Sequence, residues 1–202
     1  MRRIVLATGN KGKIRDFGAL LSSVDLDPVP IGELAPGFAV PETGTTFLEN
    51  AVIKARAARE QTGLAALADD SGLAVDVLGG APGVYSARYA GGDADDAKNN
   101  AKLLAALERV PDTQRTACFC CALALVLEDG TLYTAEGRVS GLVRSEPRGS
   151  GGFGYDPLFW IPELGQTMAE LSLEEKNRIS HRARAMARME GILVSLAGPD
   201  PG

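Results

Sequence analysis

From Ala117 to Leu127 the chain is apolar without a break, and no other segment constrains its fold as strongly. A run of that length and composition reads as a buried strand. The turn residues Glu128-Asp129-Gly130 follow, and then Leu132 to Val139, so the two segments form an expected antiparallel hairpin that Gly141-Leu142-Val143 extends. All three cysteines, Cys118, Cys120 and Cys121, lie in the run, and Cys118 with Cys121 formally spells C-x-x-C. Positions three apart on a strand point to opposite faces, there is no second cysteine pair, and the chain has 1 histidine. The cysteines are therefore expected to be small buried side chains rather than a redox or zinc site.

The remaining pattern alternates between strand and helix. Residues 3–7 form a short apolar run that ends in a glycine-containing turn, after which Ile14, Phe17 and Leu21 recur at helical spacing. Thr46 and Glu49 make a capping box for a second helix through Ala51, Ala55 and Ala58 to about Gln61. Leu64 to Ala68 reads as a buried strand that delivers Asp69-Asp70 at its end, and Leu73 to Leu78 as extended chain. Lys98 to Val110 is helical and stops at Pro111, and Leu158 to Ile161 is a short strand between prolines. Ser172 with Glu175 starts another helix, and Ser180 caps a last one whose stripe of Met186, Met189, Leu193 and Leu196 belongs to the core. This pattern predicts an α/β protein: a two-lobed mixed α/β fold with a long twisted mixed sheet and a central ligand cleft. Residues 1–202 form a single domain with a loose tail from about Gly198.

With 26 acidic and 21 basic residues the net charge is −5, which disfavours binding to nucleic acid. The apolar runs are too short for a membrane span, and the opening Met1-Arg2-Arg3-Ile4 turns polar too early for a secretory signal. The expected location is the cytoplasm.

Four separated segments carry chemistry. Thr8-Gly9-Asn10-Lys11-Gly12-Lys13 follows a strand and opens a helix, where backbone N–H groups and the positive helix end can receive phosphate oxygens. It is not a P-loop, because the four-residue gap and the hydroxyl after the lysine are missing. Asp69-Asp70 is a carboxylate pair that repels itself unless a cation or donors compensate. Mg²⁺ suits it, with Glu42 to complete the site, or else one aspartate caps a turn at Ser71-Gly72. In Gly149-Ser150-Gly151-Gly152-Phe153-Gly154 the backbone can approach a ligand and Phe153 can stack on a base, or else the segment is a hairpin tip with Phe153 in the core. Lys176, His181 and Arg182 cluster three donors suited to an oxygen-rich ligand, although a solitary histidine is also a common structural residue.

The order and spacing of these segments resemble the inosine triphosphate pyrophosphatase family over nearly the whole chain. The match runs from Thr8-Gly9-Asn10 with Lys13 through Glu42-Thr43-Gly44, Phe47-x-Glu49-Asn50-Ala51 and Lys54-Ala55. It continues with Ala68-Asp69-Asp70-Ser71-Gly72-Leu73, Leu78-Gly79-Gly80-Ala81-Pro82-Gly83-x-Tyr85-Ser86-Ala87-Arg88, Phe153-Gly154-Tyr155-Asp156-Pro157, Glu175-Lys176 and Ser180-His181-Arg182. The resemblance implies a homodimer, dependence on Mg²⁺, and hydrolysis of purine nucleoside triphosphates such as ITP, dITP and XTP to the monophosphate and pyrophosphate. It assigns the phosphates to Thr8, Gly9, Asn10, Lys11, Gly12, Lys13 and Lys54, and the metal to Glu42 and Asp70. Asp70 doubles as general base and Ser71 touches the nucleotide. Phe153, Gly154, Tyr155, Asp156, Lys176, His181 and Arg182 surround the base.

Overall fold

The computed structural model describes residues 2–92 and 95–197. The expected loose tail from Gly198 lies outside the described residues. Seven strands, β1 (Arg2–Leu6), β2 (Leu26–Pro30), β3 (Ala66–Val75), β4 (Thr116–Val126), β5 (Leu132–Val143), β6 (Phe159–Ile161) and β7 (Gln166–Thr167), form one sheet in the order β2-β1-β3-β4-β5-β6-β7. β1 runs parallel to both β2 and β3, whereas β6 runs antiparallel to β5 and to β7, so the sheet is mixed. The helices are α1 (Lys11–Ser22), α2 (Ile31–Leu34), α3 (Phe47–Thr62), α4 (Asp96–Ala106), α5 (Leu173–Ile179) and α6 (His181–Ala197). None is long and apolar enough to cross a membrane.

The chain divides into two compact units. One comprises Met1–Asp70, Cys121–Gly137 and Arg182–Gly202, and the other Ser71–Cys120 and Arg138–His181.

In the first unit strand alternation sorts side chains by size. Ile4, Leu6, Leu67, Cys121, Leu123 and Leu125 meet Phe17 and Leu21 of α1 and Met186, Met189, Leu193 and Leu196 of α6. The intervening residues Val5, Ala7, Ala66, Ala68, Ala122, Ala124 and Val126 meet Ala51, Ala55 and Ala58 of α3. Small side chains on both surfaces bring α3 close to the sheet, and the period of two makes each strand serve a wide helix layer and a narrow one at once. The methionine stripe of α6 is core, as its spacing predicts.

The second unit has a core of its own. Leu73, Val75, Phe119, Val139, Val143 and Phe159 from the strands pack with Leu103, Leu107, Tyr155 and Met168.

Helix starts follow the sequence signals closely. Both capping boxes form, Thr46 with Glu49 before α3 and Ser172 with Glu175 before α5. The hairpin of β4 and β5 is also present, joined by a turn in which Leu127 N–H donates to Thr131 O at 2.9 Å. Several expectations need correction: the chain from Leu73 is extended only to Val75 before a 3-10 turn at Asp76–Leu78, and α4 ends at Ala106 instead of Val110. Asp69 and Asp70 do not end a strand, because β3 continues through them and through Ser71-Gly72 to Val75. Cys118 is only partly buried, although Cys120 and Cys121 are buried as expected. Its neighbour on the same strand face is Cys120, with sulfurs 3.8 Å apart, and the hydrogen bond from the Cys120 thiol draws the Cys118 thiol down to about 7.

The alanine layer yields a direct test. Ala55 is fully buried in it, so Ala55→Leu should cost about 1–3 kcal/mol of stability through overpacking. Denaturant unfolding measures this, and a stability equal to that of the unmodified protein would show that α3 is not closely seated.

Candidate active site

The polar residues named from the sequence fall into distinct groups once strand geometry is applied. On β3, Asp69 continues the parity of Leu67 and faces α1 and α6, while Asp70 continues the parity of Ala68 and faces α3. The two adjacent carboxylates therefore point to opposite sides of the sheet. Each finds cations on its own side of the sheet.

On the α1 and α6 side, Lys13 Nζ lies 2.9 Å from Asp69 Oδ2, and Arg182 Nε lies 4.0 Å from the same oxygen. Arg182 Nη1 is also 3.4 Å from Asp16 Oδ2, and Asp16, Asp69 and Arg182 are all buried. Burying carboxylates is tolerable only when charge and hydrogen bonds compensate, which these cations do. Sequence reasoning missed Asp16. Its signal is an acidic residue one position from Phe17 on the inward stripe of an otherwise amphipathic helix.

The loop before α1 is tightly self-bonded. Asn10 Oδ1 caps the helix by accepting from Gly12 N at 2.9 Å and Lys13 N at 3.1 Å, and Thr8 Oγ1 accepts from Asn10 N at 3.2 Å. Three of the N–H groups expected to face phosphate are thus engaged by the loop's own side chains. Lys11 stands exposed at the start of the helix, and Lys13 is reached through its ion pair with Asp69.

On the α3 side, Lys54 Nζ sits 2.9 Å from Glu42 Oε1 and 3.0 Å from Asp70 Oδ1, so two carboxylates converge on one cation. Asn50 Nδ2 donates to the other Asp70 oxygen at 3.2 Å. Burial raises the Asp70 carboxyl above its ordinary range, with Glu42 adding to the effect and Lys54 and Lys13 only partly opposing it. Burial acts on Lys54 in the opposite sense, lowering it, yet the carboxylates of Asp70, Asp69 and Glu42 outweigh this and hold the ammonium above its usual value. Among the described residues no group of three or more histidines, cysteines and carboxylates is arranged to hold a metal alone. Two converging carboxylates do fit Mg²⁺, which takes one or two from a protein and the rest of its oxygens from water and phosphate.

The second unit gathers the glycine-rich segment. Asp156 Oδ2 accepts from Lys176 Nζ at 2.7 Å and from Phe153 N at 3.0 Å, and both Asp156 and Lys176 are buried. Lys176 Nζ lies 5.8 Å from the centre of the half-buried Phe153 ring. Gly152 has φ +74°, and a side chain there would collide with the Asp156 carboxylate, so only glycine fits. Tyr155 is buried and donates from its hydroxyl to Ser86 O at 2.8 Å.

Two residues absent from the sequence reading fix Gly154. Asp96 accepts from Gly154 N at 2.7 Å and Asn100 Nδ2 donates to Gly154 O at 2.9 Å. They stand one helical turn apart on α4 and grip both polar groups of a single peptide position. His181 is buried with its ring stacked on Phe119 at 4.9 Å and 12°. Ser71 lies on β3 directly after Asp70. The chain passes between units at Asp70-Ser71 and at His181-Arg182, so each of these motifs contributes one residue to either unit.

Comparison with known proteins finds relatives that match this chain over nearly its whole length. A dITP/XTP pyrophosphatase of Desulforamulus reducens is 55% identical over 195 residues, covering 96% of this chain and 96% of its own length. One from Escherichia coli O157:H7 is 56% identical over 188 residues, covering 92% of this chain and 95% of its own. The solved structure of a HAM1 protein from Coxiella burnetii superposes with a TM-score of 0.86 at 45% identity, covering 96% of this chain and 100% of that one. The model of the Ham1 family matches residues 4–192, and the chain belongs to that family.

Proposed function

We propose that this chain hydrolyses non-standard purine nucleoside triphosphates, ITP, dITP and XTP, to the monophosphate and pyrophosphate, and so removes them from the nucleotide pool. The observation that carries the reading is the Glu42–Lys54–Asp70 cluster, with Lys54 Nζ within 3.0 Å of both carboxylates. It combines a general base of raised affinity for protons, a cation for phosphate oxygens and a donor set for Mg²⁺. The names of the relatives at 55% and 56% identity support the substrate class.

Water attacks the α-phosphorus, Asp70 accepts its proton, and the bond from the α-phosphorus to the bridging oxygen breaks to release pyrophosphate. Glu42 and Asp70 would hold Mg²⁺, which would supply positive charge against the phosphates and favour ionisation of water. Lys13 and Lys54 balance negative charge spread over the phosphate oxygens, so no covalent intermediate is needed. Asn10 shapes the loop rather than lending its neighbours' N–H groups. On the base side, Phe153 offers a ring for stacking, and Lys176, His181 and Arg182 supply donors to a 6-keto group, which adenine's amino group cannot accept. A polar mismatch of this kind discriminates by as much as roughly 10⁴-fold. The homodimer is part of the same proposal and rests on the resemblance.

Asp70→Asn retains the volume of the side chain but cannot take a proton, and should abolish turnover while leaving the melting temperature near that of the parent. Near-normal turnover would remove Asp70 from its role. In ¹⁸O-water the label should appear in IMP and not in pyrophosphate, whereas IDP and free phosphate as first products would contradict attack at the α-phosphorus. Asp96→Ala releases one side of the grip on Gly154 and should raise KM for ITP by about tenfold with a smaller change in kcat, the signature of a ligand-positioning loop. An unchanged KM would mean that the glycine-rich segment does not meet the nucleotide. Arg182→Lys keeps a cation beside Asp16 and Asp69 but loses the planar fork, and should lower the ITP to ATP ratio of kcat/KM mainly by slowing ITP. A constant ratio would take Arg182 out of base reading.

A further inference from the structure

We propose that Asn50 is a positioning residue: a buried carboxamide strut that sets how far the Glu42 turn stands from Asp70, and thereby how tightly the pair holds a divalent cation. The proposal rests on the reading that Glu42 and Asp70 are the metal ligands. Asn50 is 0% exposed, on a helix face otherwise made of Ala51, Ala55 and Ala58. A carboxamide in such a layer is costly unless both of its ends are used. Both are: Oδ1 accepts from Gly44 N at 2.8 Å and Nδ2 donates to Asp70 Oδ2 at 3.2 Å. The chemistry fixes this orientation, because a flipped amide would oppose donor to donor at Gly44 and acceptor to acceptor at Asp70.

The strut is rigid at each end. Gly44 stands two residues from Glu42, and a side chain there would meet Glu49 Cβ at 2.6 Å and Asn50 Oδ1 at 2.7 Å, so the absence of one lets the turn seat against Asn50. The neighbouring Glu49 Oε2 accepts from Thr45 N at 2.7 Å and Thr46 N at 3.1 Å. Two consecutive side chains of α3 thus bind three consecutive backbone N–H groups. Of the two, Asn50 also reaches the Asp70 carboxylate directly across to β3, which a residue serving the helix cap alone has no need to do. Lys54, one turn further along α3, then occupies the space between the carboxylates from the same helix face.

The test measures metal binding apart from catalysis. Mn²⁺ alone is titrated into the full-length protein and free ion is read by electron paramagnetic resonance, with Asp70→Asn identifying the site. Asn50→Ala should weaken Mn²⁺ binding by about 10–100-fold, the usual loss when the partner of a metal-ligating carboxylate is removed. The Mg²⁺ concentration for half-maximal ITP hydrolysis should rise in proportion, and excess Mg²⁺ should restore turnover. Leu103→Ala, in the core of the second unit, is the control for general destabilisation and should leave Mn²⁺ affinity unchanged. If Asn50→Ala folds poorly, Asn50→Ser keeps a polar group without the reach and is measured in the same way. Unchanged Mn²⁺ affinity in either folded variant overturns the strut, as does lost turnover that excess Mg²⁺ does not restore. A parent protein that binds Mn²⁺ at this site but hydrolyses no nucleotide would instead overturn the proposed function and leave the strut standing.

Discussion

Successive side chains on a strand point in opposite directions, and the placement of Asp69 and Asp70 on β3 makes the rest of the site depend on that fact. Side by side in sequence, they look like one acidic patch. In space they are two separate charges, Asp69 held by Lys13 and Arg182 and Asp70 by Lys54 and Asn50. The segregation removes the repulsion that two exposed neighbours would suffer, and it commits α1 with α6 to one carboxylate and α3 to the other. Asp69 thereby becomes an anchor for two cations, and Asp70 is left as the carboxylate that shares a cation with Glu42.

How much of this could be read from the sequence depended on how local each signal was. Capping boxes at Thr46 and Ser172 involve residues three apart, so the chain itself displays them. The same holds for the methionine stripe of α6 and for the hairpin turn. The sequence predicts a shorter β3 because Asp69-Asp70-Ser71-Gly72 has the composition of a turn, and the cations that allow the strand to continue come from α1, α3 and α6. β2 gave no strand signal at all, since its sequence Leu-Asp-Pro-Val-Pro holds two prolines. It survives because it lies at the edge of the sheet, where only one side pairs and a missing donor is tolerated.

The chemical residues of the site were legible as motifs, whereas the residues that hold them in place were not. Asp16, Asp96 and Asn100 each act on a partner far away in sequence and look alone like ordinary helix polar residues, and Asn50, although part of a recognisable motif, gives no sign there of its bond to Asp70. Asp96 and Asn100 show the limit well. Their four-residue spacing is visible, but the peptide group they grip belongs to Gly154. Glycine-rich composition suggests looseness, yet Gly151 N donates to Ala169 O at 3.0 Å and Ala169 N to Asp156 O at 3.2 Å, so this segment is bonded along its length.

The ammonium of Lys54 has a consequence for how the protein is assembled. Carboxylates gathered for a cation normally resist being brought together until the ion arrives, and small metal domains consequently fold only when loaded. Here the lysine already supplies a positive charge to Glu42 and Asp70 from within the chain. One ammonium offsets one of the two negative charges, so the chain eases the repulsion between these carboxylates with a charge of its own, tethered to α3.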